Sequence, residues 1–165
     1  MARLEVLKYP DPRLGRVSHP VTSLTPEHLE FIRDLEETMR SGPPSVGIAA
    51  PQVGRLERIV LVDVSSKPKI RHHGRLVLIN PEVVASEGRV LGREGCLSVP
   101  DFTGNVWRAE RIVLKARDES FLEQTYSMEG FEARAALHEM DHLDGLLFLD
   151  RLASRRDLFR RKNYR

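Results

Sequence analysis

The sequence predicts a single α+β domain, and three observations carry that expectation. Runs of β-branched residues fill the middle of the chain, and one long helical pattern, F-E-A-R-A-A-L-H-E-M-D-H-L, follows them. The regular strand–helix alternation of a doubly wound parallel sheet is missing. At 165 residues the chain can bury one sizeable core but not two independent ones.

Taken in order, Thr25 and Pro26 start the first helix, as N-cap and first helical residue, and Leu29, Ile32, Leu35 and Met39 give it an apolar stripe. Ser41-Gly42-Pro43-Pro44-Ser45 ends that helix, and a small-residue stretch from Gly47 to Gly54 follows. Strands are expected at Arg58 to Val64, at Leu76 to Asn80 and from Arg111 in R-I-V-L-K-A-R, with Arg93 to Pro100 strand-like as well. His72-His73-Gly74 reads as a surface loop. Gly130 precedes the central helix, which Asp144-Gly145 ends with glycine as the cap. The tail, about residues 151–165, is expected to be a basic helix, with Leu152, Leu158 and Phe159 on one side and Arg155, Arg156, Arg160, Arg161 and Lys162 on the other.

Charge and composition narrow the function. The net charge is +2, but the span from Arg151 to Arg165 has seven Lys or Arg against the single acid Asp157. The rest of the chain is therefore slightly acidic, which argues against a protein built to coat nucleic acid. The N-terminal M-A-R-L-E-V-L-K-Y-P lacks an apolar signal core, and no apolar run approaches the ~20 residues that cross a bilayer, so the expected location is the cytoplasm. Cys96 is the only cysteine, which rules out an internal disulfide and makes its thiol chemistry the question.

His138 and His142 stand four residues apart on a helix, a separation of ~40° and ~6 Å that lets both imidazoles reach one ion. In H-E-x-x-H, Glu139 is the general base toward an activated water. A catalytic metal usually takes three protein ligands, and the longer zinc-peptidase pattern would place the third at position 148, where Phe148 stands. No other His and no Glu follows His142, so the ligand must come from upstream. His19 and His28 lack a supporting context, whereas Cys96 lies in R-E-G-C-L-S-V-P with Gly95 allowing close backbone approach. Asp141 and Asp144 flank His142 and are read either as acceptors for a histidine N–H or as ordinary helix-surface acids.

Three separated segments resemble the peptide deformylases: G-I-A-A-P-Q at Gly47 to Gln52, E-G-C-L-S-V-P at Glu94 to Pro100, and H-E-M-D-H at His138 to His142. Y-P-D-P-R-L near the start and I-N-P-E at Ile79 to Glu82 extend the likeness over nearly the whole chain. The resemblance implies mixed or antiparallel sheets around a central metal-bearing helix, with a peptide docking as an added strand. It implies Cys96, His138 and His142 as ligands of one divalent ion, Fe²⁺ in cells with Zn²⁺, Ni²⁺ or Co²⁺ able to substitute. It implies Glu139 as acid and base, and an oxyanion site made by the Gln52 side chain and the Leu97 N–H. The implied reaction removes the formyl group from the N-terminal formyl-methionine of new bacterial-type polypeptides. Gly47, Ile48, Phe131 and Leu137 are the candidates for contacting the peptide. Some bacterial members use a basic C-terminal helix to contact the ribosome, which makes the tail a candidate for that partner. Ser45 and Leu137 depart from the residues many relatives carry, and the stretch after Pro100 lacks a basic residue often found there. Two rivals remain in view: a zinc endopeptidase, and a deformylase-like protein that binds peptide or ribosome without turnover.

Overall fold

The computed structural model describes residues 2–161. Helix α1, Pro26–Ser41, begins as expected: Thr25 Oγ1 accepts the His28 N–H at 3.3 Å, and His28 Nδ1 accepts the Thr25 N–H at 3.1 Å. Histidine here takes the part that Glu or Gln usually plays in a reciprocal cap. The buried stripe is Phe31, Ile32, Leu35 and Met39, with Leu29 only half-buried.

Strands β1 (Gly47–Ala49), β2 (Ile59–Val62), β3 (Leu76–Glu87), β4 (Val90–Cys96), β5 (Val99–Arg108), β6 (Arg111–Arg117) and β7 (Glu123–Glu129) follow, then helix α2 (Gly130–Leu143) and a last strand β8 (Leu158–Arg160). They build a five-stranded sheet in the order β1-β2-β3-β6-β7 and a three-stranded sheet in the order β4-β5-β8, with every neighbour antiparallel. The α+β class is as expected.

The alternation of side chains along β2 explains its unbroken apolar run. Ile59 and Leu61 pack with Phe31, Ile32 and Leu35 of α1, whereas Val60 and Val62 pack with Ala133, Ala136 and Leu143 of α2. A strand covered on both faces has no reason to alternate apolar with polar. β3 runs well past the expected Asn80. Asn80 has φ +54°, and its amide clamps Val21 by accepting its N–H and donating to its C=O, both at 2.8 Å. The register shifts there carry β3 onward to pair with β6.

α2 ends as its Asp-Gly pair predicts. Gly145 has φ +75° and donates to the His142 carbonyl at 3.1 Å, and Leu146 donates to the Asp141 carbonyl at 2.9 Å. A Cβ on Gly145 would lie 2.6 Å from the Gly15 carbonyl oxygen, so glycine also allows the N-terminal segment to cross the end of α2.

The tail corrects the expected basic helix. Phe148–Arg151 and Arg155–Asp157 are short 3₁₀ turns, and β8 then pairs Leu158, Phe159 and Arg160 with Gly104, Thr103 and Phe102. The apolar residues of the tail lack helical spacing, and the outer edge of β5 offers main-chain partners that decide the outcome. Residues 162–165, including Lys162, lie outside the described part. Among the described residues no helix is long and apolar enough to cross a membrane.

Both β1 and β4 are edges of their sheets, and a cleft of about 570 Å³ lies between them, with α2 as its floor. β1 gives Gly47 to this cleft, β4 gives Arg93 to Cys96, and α2 gives Phe131, Arg134, Ala135, His138 and Glu139.

Candidate metal centre

Cys96 ends β4, and His138 and His142 stand one helical turn apart on α2, all three buried. Their donor atoms lie within 4.8 Å of one another, and His142 Nε2 is 3.4 Å from Cys96 Sγ. The rings meet edge to face, with centroids 5.2 Å apart. Phe148, standing where a longer peptidase motif would have its third histidine, supplies no donor and instead stacks against the His138 ring at 6.4 Å.

A carboxylate fixes which nitrogen of His138 faces the cluster. His138 Nδ1 is 2.8 Å from Glu94 Oε1, so Nδ1 carries the proton and Nε2 is left to coordinate. The sequence reading did not single out Glu94, and it did weigh Asp141 and Asp144 for this part. Both lie elsewhere: Asp141 pairs with Arg108 and Arg151 at 2.7 Å, and Asp144 pairs with Arg58 at the surface. His142 Nδ1 is buried and meets no protein acceptor among the described residues.

Glu94 is itself held by charge. Arg108 donates to both of its oxygens at 2.8 and 2.9 Å, and Arg134 donates to Oε2 at 2.8 Å. Burial opposes ionisation of this carboxyl, but its hydrogen bonds from Arg108 and His138 prevail and hold it well below the usual carboxylate range. Arg108 also bonds Asp141, so one guanidinium, 5% exposed, joins β5, β4 and α2 directly behind the donor cluster.

Glu139 has the opposite environment. Its carboxyl is buried and unassisted, and desolvation pushes its pKa up to about 7. Its Oε1 accepts no hydrogen bond and lies 3.9 Å from His142 Nε2. Gly47 makes this position possible, because a Cβ there would fall 2.7 Å from Glu139 Oε2 and 2.8 Å from its Cγ. Ser45 donates its hydroxyl to the Gly47 carbonyl at 2.8 Å, bracing the same strand.

The Gln52 amide is oriented by its surroundings. The Ala49 N–H can only donate, and it reaches Oε1 at 2.9 Å, so Nε2 faces inward, 3.4 Å from Cys96 Sγ and 3.1 Å from Ser98 Oγ. Leu97 takes the first place in the two-residue turn between β4 and β5 and lines the cleft beside it.

A divalent ion fits this arrangement. One soft sulfur and two imidazole nitrogens converge, one imidazole is already oriented by a carboxylate, and a buried carboxylate oxygen without a partner faces the same point. Of the peptide-contacting candidates, Gly47 and Phe131 line the cleft. Ile48 and Leu137 do not. Ile48 is fully buried against α1 in the core, and Leu137 packs on the opposite cluster with Val60 and Val62.

A family model described as polypeptide deformylase matches residues 3–157. Among curated proteins, the peptide deformylase of Thermodesulfovibrio yellowstonii is 42% identical over 98% of this chain and 97% of its own length. Among solved structures, that of peptide deformylase from Thermotoga maritima superposes with a TM-score of 0.86 at 32% identity, covering 93% of this chain and all of that one. The peptide deformylase of Ehrlichia chaffeensis in complex with actinonin gives 0.87 at 32% identity, over 93% of this chain and 91% of that one.

Proposed function

Because this chain belongs to the polypeptide deformylase family, we infer that its cleft hydrolyses the N-terminal formamide of formyl-methionyl peptides to formate and a free amine. The observation that carries the reading is the convergence of Cys96, His138 and His142 beside Glu139 and Gln52, between two open strand edges. Cys96, His138 and His142 would hold a divalent ion, which would lower the pKa of a water bound to it. We assign Fe²⁺ as the ion in cells, with Zn²⁺, Ni²⁺ and Co²⁺ suited to the same sulfur and nitrogen donors.

The roles of the chain's own residues follow from their positions. Glu139 Oε1 takes a proton from the attacking water as its oxygen bonds to the formyl carbon. The formyl oxygen gains charge, and Gln52 Nε2 and the Leu97 N–H donate to it, each such donor being worth roughly 3 to 4 kcal/mol. The carbon–nitrogen bond then breaks, and Glu139 returns the proton to the leaving amine. Burial of Glu139 serves the first half, since a fully solvated carboxylate would be too weak a base to take the proton from water. The free edges of β1 and β4 suit a peptide that adds as a strand, and Phe131 with Ala135 and Val46 forms an apolar wall for the methionine side chain. Nascent chains place this work in the cytoplasm. The exposed guanidinium groups of Arg155 and Arg156 suit contact with ribosomal RNA, presented from a short turn instead of a helix.

Turnover of formyl-Met-Ala-Ser by anaerobically purified protein tests the reading. Release of formate with no cut between residues supports it; internal cleavage would instead identify an endopeptidase, and binding without turnover a non-catalytic relative. Cys96→Ser removes the thiolate, and elemental analysis of the purified variant is expected to show markedly less than one ion per chain. Full metal content in that variant would remove Cys96 from the ligand set.

Gly47→Ala places a methyl group where Glu139 lies and so displaces the carboxylate. A shift near 1 Å in a reacting group costs about 100-fold, so kcat/KM should fall by that order while metal content is retained. Wild-type kinetics in Gly47→Ala would show that Glu139 does not need its present position.

A further inference from the structure

The arginines of this chain fall into two kinds. On α1, α2 and the five-stranded sheet with its connections, Arg40, Arg75, Arg111 and Arg134 each pair with a carboxylate. On the outer face of the three-stranded sheet they pair with rings instead. Arg89 lies 4.3 Å from the centroid of Trp107, Arg93 lies 3.9 Å from that of Phe159, and neither forms an ion pair among the described residues. Register explains the pattern. Leu91 stands opposite Trp107, Arg93 opposite Asn105 and Thr103 opposite Phe159, so these side chains share the side of the sheet away from the buried Glu94, Val106 and Arg108.

A guanidinium held flat on a ring keeps N–H groups at its edge for a phosphate, and its open face can take a stacked base. Arg93 donates from Nε to Asn105 and from one terminal nitrogen to Thr103, which fixes its plane and leaves the other terminal nitrogen to an outside acceptor. Cations continue along the margin of the face. Asn105 Nδ2 donates to Asp157 Oδ1 at 2.8 Å and so holds the turn Arg155–Asp157 against β5, with Arg155 and Arg156 exposed. The nearby acids leave this charge standing. Asp157 is engaged by Asn105 and Ser154, and Glu110 packs against Gly88 with its charge acting on Arg111. Asp101 lies farther along β5, ~13 Å from Asn105 and ~20 Å from Trp107 at ~3.3 Å of rise per residue.

We propose that the outer face of β4, β5 and β8 binds single-stranded RNA, with phosphates on the guanidinium edges and bases stacked on the Arg89–Trp107 and Arg93–Phe159 pairs. Stacking planes combined with a row of cations that have no acidic partner are what a sequence-tolerant single-strand site needs. A chain whose net charge is only +2 cannot hold RNA by overall attraction, so the binding rests on this face. An anionic lipid surface fits less well, because Leu91 and Trp107, the exposed large apolar residues of the face, offer little area for insertion. The inference goes beyond the chemistry of the cleft and stands whether or not the cleft is catalytic.

The experiment measures binding of the metal-loaded full chain to a short fluorescent oligouridylate by polarisation over a range of salt, with phosphatidylglycerol vesicles as the rival anion. Affinity should fall as salt rises. Arg89→Ala combined with Arg93→Ala should weaken it at least ~10-fold and lower the slope of log affinity against log salt by about 1.4, the share of two single-strand phosphate contacts. Trp107→Leu should weaken binding about fivefold at unchanged slope, since it removes a stacking plane and no charge. Removing two charges elsewhere, by Arg16→Ala with Arg33→Ala, should change affinity by less than about twofold. Melting curves separate loss of fold from loss of contact, and Arg89→Glu alone, at an exposed position, should weaken binding as much as the alanine pair. Absence of binding at low salt overturns the proposal, as does binding that the Arg89 and Arg93 changes leave intact or that the Arg16 and Arg33 changes weaken equally. Tighter binding to the vesicles than to the RNA would assign the face to lipid and overturn it as well. Turnover of formyl-Met-Ala-Ser is read separately, so failure of RNA binding leaves the deformylase reading untouched.

Discussion

Glu139→Ala is expected to lower kcat for formyl-Met-Ala-Ser by at least ~100-fold, the low end of what a positioned proton carrier contributes. Two features of the site make this a loss of chemistry and not of structure. Glu139 holds no partner that the fold depends on: its Oε1 accepts no hydrogen bond, and it occupies the space that Gly47 leaves by having no side chain. The ligand atoms are also arranged without it, since His138 is oriented by Glu94, and Cys96 is fixed by the end of β4. Metal content and melting temperature should therefore stay near wild type. Glu139→Gln keeps the shape of the side chain and its contact with Gly47, so it should lose as much activity as alanine. Steady-state kinetics with elemental analysis of the same preparations checks both, and turnover within a few-fold of wild type in either variant would exclude Glu139 as the proton carrier.

Arg108→Ala should produce the largest change in stability. Its guanidinium bonds Glu94 twice and Asp141 once in a region almost closed to water, so its removal leaves two carboxylates facing each other across a buried gap. Removing one partner from a buried ion pair costs about 3–5 kcal/mol. For a chain of this size that corresponds to a fall of roughly 10 °C in melting temperature, readable by circular dichroism. A second effect should accompany it. With Glu94 held by Arg134 alone, the His138 ring has a less firmly placed acceptor, and metal affinity should drop by about 10- to 100-fold in a chelator competition. Arg108→Lys restores the charge but not the planar fork and should recover only part of both losses. A variant that melts and binds metal like wild type would show that Arg134 alone suffices to hold Glu94.

The sequence carried the parts of this site that are local and concealed those that are not. His138, Glu139 and His142 fall on one helix, so their spacing alone places them together. Cys96 could be reached only through the missing third ligand and the family resemblance. Glu94 is 44 residues from the histidine it orients, and Arg108 is 33 from Asp141; no periodicity links such partners. Glu94 was nevertheless two residues from the cysteine, inside a segment already singled out, and a lone acid before a presumed ligand is a usable signal for an orienting carboxylate. The side chains of Ile48 and Leu137 pack into the core, because an apolar residue beside a motif can face the core as readily as the cleft. β7 passed unnoticed because E-Q-T-Y-S-M-E has hardly any apolar alternation, as suits an edge strand that buries only Met128. The tail misled for a related reason: its charge suggested a helix surface, whereas its conformation is set by the unpaired flank of β5.

The brevity of β1 limits what the catalyst can ask of its guests. Three residues of edge strand on one side, and an edge interrupted by glycines on the other, would grip only the first few links of a peptide that adds as a strand. Contacts of that kind are made to amide groups every protein possesses, so they confer breadth, and lengthening the guest beyond that reach adds little further attraction. A processing enzyme facing thousands of different N-termini would gain from so shallow a hold, which asks little of any one of them.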